Sequence, residues 1–282
     1  MPTSPANSPL LSIHELQKWF GGLMALNHVS FDIPQGKVVA LIGPNGAGKT
    51  TLFNLITGFH EMDSGKIFFK GESLNGLQPH EVARRGIVRT FQNLQIFDNM
   101  TVLENVMIGM HMQGHSGVLA AAFRLPSARL EEKITRQRAL DCLKLVGLAE
   151  RAGDAADSLP FGQQRLLEIA RALAAEPTLI LLDEPAAGLT QSETLNLDDL
   201  IAKLREDGLT ILLVEHDMEL VMSIADQVIV LHYGTKIAEG TPREVQSNSE
   251  VIKAYLGADW QQEDWRNWLP KASERDTEAA DA

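Results

Sequence analysis

The sequence is poor in features that would place a protein in several common classes. A single cysteine, Cys142, stands among 282 residues, which excludes an internal disulfide and is typical of a reducing compartment. No apolar run reaches the roughly 18 residues that a membrane-spanning helix needs. Residues 1–10 hold three prolines and no basic residue, so they do not have the composition of a secretory signal. The chain is therefore predicted to be soluble and intracellular, and to act at a membrane only through a partner.

Positive charge is also scarce. The 25 Lys and Arg residues are outnumbered by 37 Asp and Glu, which gives a net charge of −12 and an isoelectric point near 5.1. A protein whose main partner is nucleic acid usually carries a basic face, so this balance argues against that class. Hydrophobic residues at 44% and charged residues at 22% are instead the proportions of a folded globular protein.

Strand and helix patterns alternate in the second half of the chain. A helical pattern from Gln163 to Ala175 precedes the first of three apolar runs that suit buried strands: residues 178–183, 209–215 and 227–231. This alternation predicts a mainly parallel sheet covered on both faces. Residues 11–33 suit antiparallel strands, and residues 100–147 are predicted to be mostly helical, with a poorly periodic insertion at 111–126.

A glycine-rich segment follows the apolar run of residues 37–42. It fits the pattern of a glycine, four residues and then Gly-Lys-Ser/Thr: Gly43-Pro44-Asn45-Gly46-Ala47-Gly48-Lys49-Thr50. Glycines allow backbone N–H groups to turn inward around phosphate oxygens, and the helix expected from Lys49 adds its positive end. In this pattern Lys49 reaches the β- and γ-phosphates and the Thr50 hydroxyl is a ligand of Mg²⁺. An ordinary glycine turn is the alternative, but the strand before and the helix after the segment favour nucleotide binding.

A later apolar run, residues 179–182, ends in the two carboxylates Asp183 and Glu184. Asp183 stands where a metal-bound water needs an acceptor, and Glu184 is suited to polarise the water that attacks a phosphate. A strand that merely runs into a charged loop would look the same. Downstream of a phosphate loop, however, both segments are expected at the carboxyl edge of one parallel sheet, where such sheets bind ligands.

In their order along the chain, these motifs and four further segments resemble the ATP-binding subunits of ABC transporters over roughly residues 10–257. The further segments are Phe20-Gly21-Gly22, Arg89-Thr90-Phe91-Gln92-Asn93, Gly162-Gln163-Gln164-Arg165 and Glu215-His216-Asp217. The resemblance implies that Phe20 stacks on adenine, that Gln92 senses Mg²⁺ and water, and that His216 holds the γ-phosphate. It also implies that the Gly162 and Gln163 segment of a second ATPase molecule closes over the nucleotide.

The motifs and the resemblance together predict a complete ATP site. The predicted catalytic residues are Glu184, His216 and Gln92. The predicted ligands of Mg²⁺ are Thr50, Gln92 and Asp183. Contacts to ATP are predicted for Phe20, Gly43, Pro44, Asn45, Gly46, Ala47, Gly48, Lys49, Thr50, Thr51, Asp183, Gly162 and Gln163.

The chain departs from the family pattern at two places. The family's signature commonly reads Leu-Ser-Gly-Gly-Gln, whereas this chain has Leu159-Pro160-Phe161-Gly162-Gln163. The serine hydroxyl that would touch the γ-phosphate is missing, and the backbone N–H of Gly162 remains. Thr190 stands where the loop after the acidic strand end usually has an aspartate, a position that the resemblance links to communication between the two sites of a dimer.

The resemblance also implies the fold and the domain organisation. The fold class is α/β, a P-loop NTPase of the ABC type with a mainly parallel core sheet, an antiparallel β subdomain and an inserted helical subdomain at about residues 93–165. The ABC domain is predicted at 11–257, after a flexible leader at 1–10. The tail at 258–282 is acidic and contains three tryptophans, and its end is predicted to be disordered.

Several segments are similar to the branched-chain amino acid importer family, among them residues 86–93, 100–106, 163–173 and 184–189. This resemblance implies an importer with a second, different ATPase, two membrane permease subunits and a periplasmic substrate-binding protein. The ATPase would then lie on the cytoplasmic face of the membrane, held there by the permeases. Leucine, isoleucine and valine are the expected cargo, and related systems carry urea, amides or aromatic acids.

Two functions from other classes remain as alternatives. A soluble ABC-type ATPase of ribosomes or chromosomes usually has two cassettes or a long coiled coil, whereas this chain has one phosphate loop and no sustained heptads. A small-molecule kinase would use the same loop but would leave Gly162, Gln163 and His216 without a role.

Overall fold

The computed structural model describes residues 8–110 and 126–256. Residues 111–125 of the predicted insertion, the tail at 258–282 and residues 1–7 of the leader therefore lie outside the described residues. Within the described part of the chain, no helix combines the length and the apolar character needed to cross a membrane.

The described residues form ten strands and nine α-helices. The strands are β1 (Leu11–Phe20), β2 (Leu23–Ile33), β3 (Val38–Ile42), β4 (Ser64–Phe69), β5 (Glu72–Ser73), β6 (Ile87–Arg89), β7 (Leu179–Asp183), β8 (Thr210–Val214), β9 (Gln227–His232) and β10 (Thr235–Gly240). The helices are α1 (Lys49–Ile56), α2 (Pro79–Arg84), α3 (Val102–Gly109), α4 (Pro126–Leu145), α5 (Phe161–Ala174), α6 (Gln191–Glu206), α7 (Met218–Ile224), α8 (Pro242–Gln246) and α9 (Ser249–Leu256).

The core is a six-stranded sheet in the order β10-β9-β3-β8-β7-β6. Its strands pair in parallel except for β9 with β10, which confirms the mainly parallel sheet. Every residue of β3, β7 and β8 is buried, because helices cover both faces and the strands are continuous apolar runs. Strand β6 has no signal in the sequence, because its three residues are too few to show a periodic pattern.

A second sheet is antiparallel, in the order β2-β1-β4-β5, as expected for residues 11–33. Helix α1 lies between the two sheets and buries Leu52, Phe53 and Ile56 in the core that they share. Because α1 begins at Lys49, the packing of this helix against both sheets fixes the position of the glycine-rich loop before it.

A helical region packs beside the parallel sheet. It is built from α3, α4 and α5, which contact one another. Helix α5 begins at Phe161, two residues before the predicted start at Gln163. The reason is Pro160, whose φ of −55° and ψ of 152° place it at the N-cap, so that the first helical turn starts directly after it.

Candidate nucleotide-binding site

The glycine-rich loop joins the end of β3 to the start of α1, as predicted. Two of its glycines are required by close packing. A Cβ on Gly43 would lie 2.2 Å from the carbonyl oxygen of Leu231, and one on Gly48 would lie 2.7 Å from that of Ala25. Gly48 also has a φ of +103°, a conformation that side chains rarely adopt. Neighbouring strands therefore hold the loop in shape from both sides.

Lys49 points into the loop that it follows. Its ammonium donates to the carbonyl oxygens of Gly43 at 2.6 Å and Pro44 at 3.2 Å, and the residue is buried. Burial lowers the pKa of Lys49, and the negative charges of Glu184 and Asp183 oppose that shift. The structure thus brings the predicted phosphate-binding cation close to the two predicted carboxylates.

Asp183 ends the buried strand β7 and forms an ion pair that the sequence analysis missed. Arg89, at the end of the neighbouring strand β6, donates from Nη2 to Oδ2 of Asp183 at 2.6 Å. Both side chains are buried, with exposures of 6% and 4%. Arg89 stood in the quoted family segment, but no pattern in the sequence indicates which acid a buried arginine contacts.

Glu184 brings three predicted catalytic residues together. Its Oε2 accepts a hydrogen bond from the Gln92 side-chain amide at 2.9 Å, and its Oε1 lies 2.9 Å from Nε2 of His216. The φ of Glu184 is +49°, in the left-handed region that is costly for a residue with a side chain. Such strain is concentrated at functional sites, where the surrounding structure holds the residue in place.

Glu215 is a structural residue of the site that the sequence analysis quoted only as part of a motif. It is buried and accepts backbone hydrogen bonds from Ala186 at 2.8 Å and from His216 at 3.1 Å. Burial raises the pKa of its carboxyl, and these backbone hydrogen bonds oppose the shift. Glu215 therefore joins the loop after Glu184 to the segment that carries His216.

The predicted contacts Gly162 and Gln163 do not belong to this cluster. They lie in the first turn of α5, where the Gln163 side chain accepts a hydrogen bond from Arg151 at 2.6 Å. A Cβ on Gly162 would lie 2.1 Å from the carboxylate of Glu193 in α6. Pro160, the N-cap residue, offers no side-chain acceptor to the first amides of the helix, and the Glu193 carboxylate lies beside this positive helix end.

Phe20 is also apart from the cluster. It ends β1 in the antiparallel sheet, is 43% exposed, and meets the His60 ring edge to face at a centroid distance of 5.4 Å. The ammonium of Lys18 lies 5.4 Å from the centre of the Phe20 ring. Among the predicted residues of the loop itself, Thr50 is exposed and Thr51 is half-buried at the start of α1.

Two further contacts tie distant parts of the chain to the site. Arg165 in α5 donates to the carbonyl oxygens of Phe91, at 2.9 Å, and Gln92. Tyr255 in α9 meets the backbone of Gly43, and burial raises the pKa of its hydroxyl. Tyr255 lies more than 200 residues after Gly43 in the sequence, and only the fold reveals that it reaches the glycine-rich loop.

The donor groups fit a magnesium ion that is held mainly by a nucleotide. Within residues 8–110 and 126–256, no group of three or more His, Cys, Asp or Glu side chains is arranged to hold a metal. Mg²⁺ is commonly bound by one or two carboxylates together with substrate phosphates. Asp183, the Thr50 hydroxyl and the Gln92 amide supply the oxygen chemistry that such an ion prefers.

Known proteins resemble this chain over most of its length. Residues 26–187 match the family model of ABC transporters, and residues 235–260 match that of the branched-chain amino acid ATP-binding cassette transporters. BraF of Pseudomonas aeruginosa, a high-affinity branched-chain amino acid transport ATP-binding protein, is 47% identical over 88% of this chain and 98% of its own length. LivG of Escherichia coli is 46% identical over 89% of this chain and 99% of its own length.

Solved structures resemble the whole described fold. An ABC transporter cassette in its ADP conformation has a TM-score of 0.78 and 34% identity, covering 89% of this chain and all of that one. A dimeric cassette with ADP and phosphate has a TM-score of 0.70 and 28% identity, covering 83% of this chain and 99% of that one. The chain therefore belongs to the ATP-binding subunits of ABC transporters, in the family of the branched-chain amino acid transport proteins LivG and BraF.

Proposed function

We propose that this chain binds and hydrolyses ATP at the site around Lys49, Asp183 and Glu184, as the ATPase subunit of an ABC importer for leucine, isoleucine and valine. The observation that carries the proposal is the contact of the Glu184 carboxylate with the side chains of Gln92 and His216 beside the glycine-rich loop. The ATPase does not contact the cargo, so its own site cannot indicate which molecule is transported. The proposed cargo is instead supported by similarity to BraF and LivG over nearly their full lengths.

In this proposal the loop residues 43–51 bind the phosphates. Lys49 exchanges its contacts with the carbonyl oxygens of Gly43 and Pro44 for the β- and γ-phosphates, while the amides of the loop surround them. Phe20 offers an exposed ring for adenine at the rim of the antiparallel sheet.

Glu184 is the proposed general base. Both of its carboxylate oxygens already have a partner, Gln92 on one and His216 on the other. The attacking water must therefore share or replace one of these hydrogen bonds, and the two partners orient the carboxylate for in-line attack. His216, once released from Glu184, is placed to hold the γ-phosphate.

Thr50, Gln92 and Asp183 are the proposed oxygen donors for Mg²⁺. When bound, the ion neutralises charge that builds up on the phosphates during transfer. The ion pair with Arg89 orients the carboxylate of Asp183.

A second ATPase subunit completes the proposed site. Gly162 and Gln163 lie outside the cluster of their own chain, at a helix N-terminus whose N-cap residue, Pro160, offers no side-chain acceptor, and the positive end of this helix suits the γ-phosphate of a nucleotide on a partner. In the importer this partner is a different ATPase subunit.

We assign the ATP-binding domain to residues 11–257 and its helical subdomain to about 93–165, with the leader 1–10 and the tail 258–282 outside it.

Two permease subunits hold this ATPase at the cytoplasmic face of the membrane in our proposal, and a periplasmic binding protein delivers the cargo to them. A cavity of about 380 Å³ between β6, the Gln95–Phe97 segment, α3 and α5 offers them a docking place. Phe91, the residue before Gln92, lines it, and Phe97 in its wall is 46% exposed. A permease segment in this cavity would move Gln92 and thereby couple hydrolysis to transport.

The test is uptake and ATPase activity of the complex purified with its permeases. Lys49→Ala removes the main positive charge that contacts the phosphates of ATP, so both ATP turnover and leucine uptake should be lost. Lys66→Ala, on the exposed side of β4, is the matched control and should leave both intact. Full turnover by Lys49→Ala would contradict the site. ATP-driven uptake of urea, an amide or an aromatic acid in place of branched-chain amino acids would contradict the cargo.

A further inference from the structure

Arg89 stands at the centre of a buried polar cluster. Its Nη2 donates to Asp183 at 2.6 Å and its Nη1 donates to the side chain of Asn54 in α1, also at 2.6 Å. The guanidinium lies between two aromatic rings, 5.2 Å from the centre of Phe53 and 5.2 Å from that of Phe91. Four contacts from three segments of the chain, namely α1, β7 and the stretch after β6, therefore fix the plane of this side chain.

Stability alone does not account for this arrangement. Removing a guanidinium and a carboxylate from water costs several kcal/mol per ion, and apolar replacements of similar volume are often as stable. Arg89 also leaves its Nε buried without a hydrogen-bond partner. An unpaired buried donor costs free energy, so the cluster holds its geometry at the expense of stability.

The contacts of Arg89 converge on a predicted metal ligand. Arg89 ends β6, which pairs in parallel with β7, so its side chain reaches across to Asp183 at the same edge of the sheet. Phe91, which forms one wall around the guanidinium, directly precedes Gln92. The orientation of Asp183 is thus tied to α1 on one side and to the Gln92 segment on the other.

We propose that Arg89 is a positioning residue that holds the carboxylate of Asp183 in the orientation required by Mg²⁺ bound with ATP. The inference rests on the proposed function, because it takes Asp183 as a metal ligand. Hydrogen-bond partners of a ligating carboxylate orient it, and their loss typically weakens metal affinity by about 10- to 100-fold. Arg89 acts through Asp183 and does not itself touch the nucleotide.

Arg89→Lys separates orientation from charge. Lysine keeps the positive charge beside Asp183 but lacks the planar fork that reaches Asp183 and Asn54 at once and stacks between two rings. Asn54→Ala is a milder variant, since it removes one partner of Arg89 at a position where alanine favours the helix. Leu200→Ala shortens a buried side chain of α6. It controls for lost stability, because Leu200 does not contact the cluster around Arg89.

The experiment measures metal and nucleotide binding separately on the full-length chain. Binding of Mn²⁺ in the presence of a non-hydrolysable ATP analogue is followed by electron paramagnetic resonance of the free ion. Affinity for a fluorescent ATP analogue is measured in EDTA. Arg89→Lys should weaken Mn²⁺ binding by about 10- to 100-fold. Asn54→Ala should weaken it less, and Leu200→Ala should leave it unchanged, while affinity in EDTA stays at the parent value in all three.

Each of the remaining outcomes contradicts either the role proposed for Arg89 or the proposed function. Parental Mn²⁺ affinity in folded Arg89→Lys overturns the proposal, and if that variant does not fold, parental affinity in Asn54→Ala overturns it instead. An equal loss of nucleotide affinity in EDTA also overturns it, because Arg89 would then support the pocket as a whole. If the parent chain binds neither Mn²⁺ nor nucleotide, the proposed function itself fails.

Discussion

The imidazole Nε2 of His216 lies 2.9 Å from the carboxylate oxygen Oε1 of Glu184, across a sequence separation of 32 residues. Glu184 follows β7 and His216 follows β8, two neighbouring parallel strands that end at the same edge of the sheet. The Glu184 side chain is 18% exposed and that of His216 is 41% exposed, so water can reach the pair. The proposed base and the residue proposed to hold the γ-phosphate therefore contact each other directly.

The first prediction concerns Glu184→Gln. The amide keeps the size of the side chain and its contact to one neighbour but cannot take a proton from water. ATP hydrolysis should fall by at least about a hundredfold, the usual scale for losing a general base. ATP binding should persist, and the closed dimer of ATPase subunits should accumulate, as measured by size-exclusion chromatography with ATP. Near-parental turnover would show that another group is the base.

The second prediction compares Pro160→Ser with Gly162→Val in the complete transporter. If α5 acts on the partner's nucleotide through its backbone N–H groups, restoring the serine hydroxyl should change steady-state ATPase activity by less than about tenfold, or 1.4 kcal/mol. Gly162→Val should cost far more, because its side chain blocks the approach of the backbone to the phosphate.

A control is needed because Gly162 faces Glu193 of its own chain. A Cβ at Gly162 would lie 2.1 Å from that carboxylate, so valine would also disturb α6. Glu193→Ala removes the clash, and the double variant Gly162→Val with Glu193→Ala should remain inactive. Recovery of turnover in the double variant would show that the clash inside the chain, rather than closure on a partner, caused the loss.

The third prediction concerns Thr190, which stands where an aspartate is usual. Its hydroxyl accepts from the backbone N–H of Glu193, and the Glu193 carboxylate accepts from the backbone N–H of Thr190, which together form a capping box at the start of α6. Thr190→Ala should lower the free energy of unfolding by about 1 kcal/mol in urea denaturation. Thr190→Asp keeps a good N-cap and should cost little. An equal loss in both variants would mean that the cap is not the role of this side chain.

The fourth prediction uses Cys142 as a probe of α4. Burial, together with the charges of Asp141 and Glu176, raises the pKa of its thiol to about 11. The thiolate is the reactive form, so labelling by iodoacetamide should be slow at pH 7 and rise about tenfold per pH unit up to that value. The urea-unfolded chain should label with the pH dependence of an ordinary thiol. Fast labelling of the folded protein at pH 7 would contradict the buried environment.

Much of the fold follows from local sequence. The buried strands β3, β7 and β8 were predicted because each is an unbroken apolar run bounded by turn residues or charges. The start of α1 at Lys49 follows from the glycines before it, and the fully parallel pairing of β3, β7 and β8 follows from the helices between them. The edge strands β6 and β10 were not predicted, because their formation depends on pairing with a neighbouring strand and not on a periodic pattern of their own.

The sequence by itself determined which residue types are available for the chemistry: the phosphate-binding loop with Lys49, the paired carboxylates Asp183 and Glu184, and the segments that carry Gln92 and His216. Only the tertiary structure decided which of them meet. It joined Glu184 to both Gln92 and His216, set Arg89 against Asp183, and left Gly162 outside the cluster. The physical reason is that local patterns arise from neighbours along the chain, whereas hydrogen bonds between strand ends depend on strand order and on the burial that the whole fold imposes.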